Sequence, residues 1–174
     1  LRCGLHLNSN DCSTYRSGAE GIMTTLSNTE ISALHDALDD EFQAWTTYDQ
    51  VIADFGDVIP FVNIRDAEAR HIDALSALFR AYGLPIPENT WPGKVPRFGS
   101  VREACEAGIV AELANAALYE RLLAATRRPD ILMVFQRLQE ASQQRHLPAF
   151  RRCAARGGEG GARGHRRRPR GGRA

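Results

Sequence analysis

Phe61-Val-Asn-Ile-Arg-Asp-Ala-Glu68-Ala-Arg-His71-Ile-Asp-Ala-Leu75-Ser-Ala-Leu78-Phe-Arg-Ala-Tyr82 is the stretch that decides the fold. Within it Phe61, Ile64, Glu68, His71, Leu75, Leu78 and Tyr82 are separated by 3, 4, 3, 4, 3 and 4 residues, so on a helix all seven share one face. That face must be buried against a partner, yet its centre carries a carboxylate and an imidazole one turn apart. An unpaired buried carboxylate costs several kcal/mol, so the helix has to bring these two groups to a counter-charge. A metal ion is the obvious candidate, and the rest of the chain can be searched for what else would reach it.

Upstream, Ser27-Asn-Thr-Glu30 has the form of a capping box and starts a first helix. Ile31, Leu34, Leu38, Glu41, Trp45, Tyr48, Ile52 and Phe55 then keep the helical spacing, again with a carboxylate, Glu41, on the apolar face. Gly56-Asp57 ends it, and the second helix runs from about Val58 to Tyr82 with Gly83 as its stop, giving an antiparallel hairpin. Residues 84–100 hold Pro85, Pro87, Pro92 and Pro96 and form an extended crossing segment. At about 3.1 Å per residue such a segment reaches roughly 50 Å, more than the ~30 Å length of a 20-residue helix. The chain can therefore return to the other end of the bundle before the third helix begins.

That third helix opens at Ser100-Val-Arg-Glu103, a second capping box, and its face reads Cys105, Ile109, Glu112, Ala116, Tyr119, Leu123. Arg127-Arg128-Pro129-Asp130 turns into a fourth helix with the stripe Ile131, Phe135, Leu138, Ser142, His146, Ala149, Cys153, which Pro148 should loosen or kink near its end. Glu112 and His146 thus join Glu41, Glu68 and His71 as ionisable groups on apolar faces. Tyr48 and Tyr119, two turns beyond Glu41 and Glu112, are placed either to hydrogen-bond these groups or simply to pack, and Trp45 reads as core. His35 falls beside its helix's stripe and reads as a boundary residue.

Two hairpins of similar length joined by a long crossover, with Glu41, Glu68, His71, Glu112 and His146 at corresponding depths, resemble the ferritin-like superfamily. Its dimetal members, such as rubrerythrins and ferritins, supply one Glu from each of two helices and a Glu-x-x-His from each of the other two. The resemblance covers roughly residues 29–153, and the runs Asn63 to His71 and His146 to Phe150 look most like a bacterial and archaeal branch of ferritin-like domains of unknown function. It implies an all-α antiparallel four-helix bundle with its long crossover between helices 2 and 3. It also implies metal ligation by Glu41, Glu68, His71, Glu112 and His146. Iron is the implied metal, two per chain, with Mn or Zn also suited to carboxylate and imidazole donors. Dioxygen or peroxide would be the reactant, in oxidase, peroxidase or ferroxidase-type chemistry.

The departure from the family pattern lies in the fourth helix. Glu140 would match Glu68 by spacing, but at 100° per residue it lies about 160° from the mean of the apolar stripe and should face water. One turn before His146 stand Ser142 and Gln143, neither an anionic ligand. Five ligands are expected where the pattern has six, which makes one metal position weaker or absent. The alternative to a metal centre is a non-catalytic binding or assembly bundle whose polar groups pair among themselves.

The chain of 174 residues, 43% hydrophobic, suits one domain, expected over 27–153. Residues 1–26 read as a disordered or upstream segment with Met23 as the expected initiator, and 154–174 as an Arg/Gly-rich disordered tail. Residues 151–174 hold nine Arg against one Glu, so the formal net charge of +1 hides a basic tail on an acidic body. The tail either binds nucleic-acid phosphate or merely solubilises. No apolar run is long enough to span a membrane and the first residues lack a secretory pattern, so a soluble, cytoplasmic protein is expected, its oligomeric state left open. Cys3, Cys12, Cys105 and Cys153 form no CxxC pair, which excludes a zinc ribbon, a thioredoxin-type motif and a rubredoxin-like electron donor. Cys105 and Cys153 fall at similar heights on antiparallel helices; a disulfide is geometrically allowed, but a reducing cytosol favours two thiols.

Overall fold

The computed structural model describes residues 25–157, and the described segment is helical with no strand. The expected upstream segment with its initiator Met23 and most of the Arg/Gly-rich tail lie outside the described residues. The helices are α1 (Asn28–Phe55), α2 (Phe61–Ala81), α3 (Val101–Ala124), α4 (Pro129–Ala141) and α5 (Leu147–Ala155). A π-helical turn over Ser142–His146 joins the last two into one continuous rod, so the architecture is a four-helix bundle.

α1 begins where its cap demands. The Ser27 hydroxyl accepts from the Glu30 N–H at 3.2 Å, and the Glu30 carboxylate accepts from the Ser27 N–H at 2.9 Å. The other Glu30 oxygen reaches the α3–α4 turn, accepting from Thr126 Oγ1 at 2.9 Å and Arg128 Nε at 3.1 Å. One carboxylate therefore starts a helix and pins a distant turn to it. The second capping box is only half formed: Ser100 caps Glu103 N–H, but the Glu103 carboxylate turns to the Gly99 N–H. α2 starts at Phe61, where its periodicity begins and three residues after the expected Val58, because Ile59 and Pro60 belong to the turn. It stops at Gly83, whose φ of +67° lets Leu84 N–H reach back to Phe79 C=O.

Contacts between residues far apart in sequence fix the directions. Glu41 lies beside His71, Tyr119 beside Glu41, and Tyr48 beside Glu112, so α1 runs antiparallel to both α2 and α3. Pairing of Cys105 with Cys153 and packing of Tyr119 on Phe135 make the α4–α5 rod antiparallel to α3. The crossover lies along α1: Asn89 donates to Thr46, Trp91 Nε1 to Asp39, and Arg97 to Asp54.

The core is divided into two apolar clusters at opposite ends. One is built on Leu34, Leu38, Leu75, Phe79, Tyr119 and Phe135, the other on Tyr48, Val51, Phe61, Ile64, Cys105 and Phe150. Between them lies a layer of polar side chains.

Two local expectations are corrected. Trp45 is only half-buried and belongs to neither cluster, because the α1 core face runs through Ala33, Ala37 and Thr46 as well as Leu34, Leu38 and Tyr48. Cys105 and Cys153 form a disulfide, with their Cα atoms 6.0 Å apart, where compartment reasoning favoured free thiols. Gly108, one turn from Cys105 on α3, explains how α3 and α5 come so close there: a Cβ on it would sit 2.9 Å from the Phe150 ring.

Candidate metal centre

The central layer contains Glu41 from α1, Glu68 and His71 from α2, Glu112 from α3, and Ser142 and His146 from the two ends of the π turn. All three carboxylates and His146 are at most 4% exposed, and the His71 side chain is 14% exposed. The structure therefore brings together every one of the five residues singled out in the sequence. Their donor atoms fall into two groups, Glu41 with Glu68 and His71, and Glu68 with Glu112 and His146, each with its atoms within 4.8 Å of one another.

Glu68 belongs to both groups, one oxygen to each. Its Oε2 lies 2.7 Å from His71 Nδ1 and its Oε1 lies 3.1 Å from His146 Nδ1. Glu41 Oε2 is 3.1 Å from His71 Nδ1, and Glu112 Oε1 is 3.6 Å from His146 Nδ1. The two imidazoles stack 5.7 Å apart. A shared carboxylate flanked by two imidazoles is the arrangement in which two cations can be held side by side.

The tyrosines do more than pack. Tyr119 donates to Glu41 Oε1 at 2.8 Å, and Tyr48 donates to Glu112 Oε1 at 3.1 Å. Each hairpin's phenol thus orients the other hairpin's carboxylate, one from each side of the layer. Burial first, and then the neighbouring carboxylates, push both phenols well above their ordinary range, so they remain donors.

The fourth helix departs from the family pattern as its sequence indicates. Glu140 is exposed, as its angular position requires, and Gln143 is exposed too. Ser142 takes the layer position one turn before His146 that Glu68 takes before His71, and its hydroxyl donates to Glu112 Oε2 at 2.5 Å. A π turn begins at Ser142. Leu147 N–H reaches Ser142 C=O across five residues, and Pro148, which has no N–H, leaves the ordinary helical ladder interrupted at that point. The extra residue moves the buried face on by one, so Phe150 is in the core where the stripe pointed to Ala149.

Without a cation, the layer balances its charge with protons. Burial disfavours a charged His71, but its bonds to Glu41 and Glu68 outweigh this and raise its pKa to about 10; burial likewise opposes charge on His146, and Glu112 and Glu68 raise it to about 9. Burial and then repulsion from Glu68 push Glu41 upward, whereas at Glu68 the two imidazoles overcome burial and hold it down. Three carboxylates and two imidazoles held this way form a preformed, largely buried donor set. Its donors are those that suit Fe, Mn or Zn.

A cavity of about 270 Å³ opens onto this layer between α1 and α3. Asp40, Gln43, Ala44 and Thr47 line it from α1, Ala104, Ala107, Gly108, Ala111 and Ala114 from α3, and Pro96 and Phe98 from the crossover. Asp40, raised to about 6 chiefly by burial, accepts from Asn115 Nδ2 at 2.7 Å, while the buried Asn115 Oδ1 has no partner. The sequence reading missed this cavity, Asp40 and Asn115. Its signal was the small-residue spacing on α3.

No protein-family model matches the chain, and no curated protein sequence does. Among solved structures, it is similar to the crystal structure of a hypothetical protein from Methanococcus jannaschii, with a TM-score of 0.67 and 23% identity over 76% of this chain and 83% of that one. At that identity the likeness speaks for the bundle fold alone. What the layer does must be argued from its own side chains.

Proposed function

We propose that the chain is a ferritin-like dimetal-carboxylate protein, with iron as its metal, acting in oxidase, peroxidase or ferroxidase-type chemistry. The observation that carries this reading is Glu68, which offers one oxygen to each of two Glu/His groups in a layer with almost no solvent contact. Glu41, Glu68 and His71 would hold one cation, and Glu68, Glu112 and His146 the other. A diferrous pair bound there would supply electrons for reduction of dioxygen or peroxide. The residues of the chain do the rest. Tyr119 and Tyr48 orient the terminal carboxylates, the two imidazoles give up their protons when they ligate, and the apolar clusters above and below exclude water. The cavity between α1 and α3 gives a small reactant its way in.

The test is metal analysis of the full chain reconstituted anaerobically with ferrous iron, beside Glu68→Ala and His71→Ala. The expected result is about two irons per chain with an oxygen-dependent absorbance change, and loss in both variants. An intact bundle that takes up no iron would overturn the reading.

A second reading is a non-catalytic bundle serving binding or assembly. Each of the five side chains already has a partner within the layer, so the polar groups can be satisfied without a cation. Full thermal stability with metal bound or stripped would favour it.

A further inference from the structure

α3 is apolar on two faces. Its inner face buries Ala104, Cys105, Gly108 and Leu122 around Glu112 and Tyr119. Its outer face presents Ala107, Val110, Leu113, Ala114 and Ala117, which share one stripe at helical spacing. Val110 is 68% exposed and Leu113 50%. Between Glu106 and Glu120, about 20 Å of helix, no charged side chain points outward. The other long helices do present outward charge: Asp36 and Asp39 on α1, Asp66, Arg70 and Asp73 on α2, Arg137 and Glu140 on α4. A helix that is apolar all round is one that belongs in an interior, and no described segment covers this face. Ile59, Ile86 and Met133 are single exposed apolar residues of the kind any surface carries, whereas a continuous stripe marks a contact.

The charges at the two ends of the stripe select its occupant. Glu103 lies at its start and Arg121 at its end, both close to its axis at 100° per residue. Arg121 donates to the Ala117 C=O at 3.3 Å, within its own helix, and meets no carboxylate among the described residues. A second α3 laid antiparallel, with a two-fold axis at the level of Glu112, sets Glu103 against the partner's Arg121 at both ends and Val110 against the partner's Ala114 in the middle. A parallel copy would instead set Glu103 against Glu103 and Arg121 against Arg121. The alanines at 107, 114 and 117 allow the two helices to approach to about 8 Å. We propose that a second copy of this chain docks on the outer face of α3, helix against antiparallel helix, in an isologous dimer. Ala107 and Ala114 also line the cavity between α1 and α3, so the partner's α3 lies beside that cavity and borders the route to the central layer. The dimer does not depend on what the layer binds.

The test is sedimentation equilibrium of the full chain beside Val110→Glu, Arg121→Glu, and the charge swap that combines Glu103→Arg with Arg121→Glu, with circular dichroism confirming that each variant folds. The unaltered chain should sediment at twice the 19.2 kDa of one copy. Val110→Glu alters an exposed side chain, so it should keep its helicity and weaken the dimer by about a hundredfold or more. Arg121→Glu should weaken it by about tenfold. The swap should restore it, because Ser100 still caps α3 when Glu103 is replaced. A chain that stays monomeric at about 100 μM would overturn the proposal and leave a terminal segment or a different protein as the occupant. A dimer that Val110→Glu leaves intact would overturn it as well, by placing the contact elsewhere. A folded swap that stays monomeric would overturn the antiparallel pairing. Metal content measured in parallel should be the same in Val110→Glu as in the unaltered chain, so the dimer and the dimetal reading stand or fall separately.

Discussion

Glu68 is the residue on which the layer turns, because its two oxygens serve two different imidazoles. Glu68→Ala should therefore abolish both cation positions, whereas Glu41→Ala should remove one and leave the other, a difference that metal counting per chain resolves. Tyr119→Phe deletes the bond to Glu41 without changing shape. It should cost about 1 to 3 kcal/mol of stability in the metal-free chain, since a buried carboxylate oxygen loses its donor, and should weaken binding at the Glu41 position. The pH dependence has a definite sign. His71 and His146 carry protons up to about pH 10 and 9 in the metal-free layer. Cations must displace those protons, so metal affinity should rise with pH between 6 and 8, by up to about tenfold per unit for each proton released, and metal should be lost on acidification. Affinity that stays flat across that range in a competition titration would contradict the charge assignment.

The π turn is the feature at the scale of the element that matters most. It carries Ser142 and His146 at its two ends and, beyond it, Phe150 rather than Ala149 faces the core. Deleting the exposed Gln144 should restore α-helical spacing and rotate everything after it by about 100°. The expected result is loss of the His146 cation position or of Phe150 packing, the latter costing about 3 to 5 kcal/mol, read from urea denaturation with parallel metal analysis. At the other end of the bundle, Glu30→Ala should cost about 1 kcal/mol or more, because the cap of α1 and the anchor of the α3–α4 turn share one carboxylate. The Ser27 backbone bond chiefly depresses Glu30, from an ordinary 4.5 to about 2. Its contribution is therefore complete above about pH 4.5 and fades as pH falls toward 2.

Over the described residues, two hairpins close around a charged plate, and a disulfide locks the second of them. The bridge spans 48 residues of sequence and ties α3 to α5. Replacing both cysteines by Ser should lower the unfolding free energy by about 2 to 4 kcal/mol, measured as the change in urea midpoint, while leaving the layer's side chains in place. Much of this architecture was legible in the chain. The 3-4 spacing of Phe61 to Tyr82, the capping box at Ser27, and the four prolines of the crossover determined four helical rods and their connection, because helix period and proline chemistry are local properties. The exposure of Glu140 followed from the same angular arithmetic. Glu41, Glu68, His71, Glu112 and His146 were recognisable because ionisable groups on apolar faces must meet one another. Only the tertiary structure decided that Glu68 is the shared carboxylate, that each tyrosine crosses to the opposite hairpin's Glu, and that Ser142 fills the sixth position. It also decided that the bundle stays open between α1 and α3. These are relations between side chains on different helices, set by how the rods rotate and approach, and one added residue in a π turn is enough to change them without altering any local periodicity that precedes it.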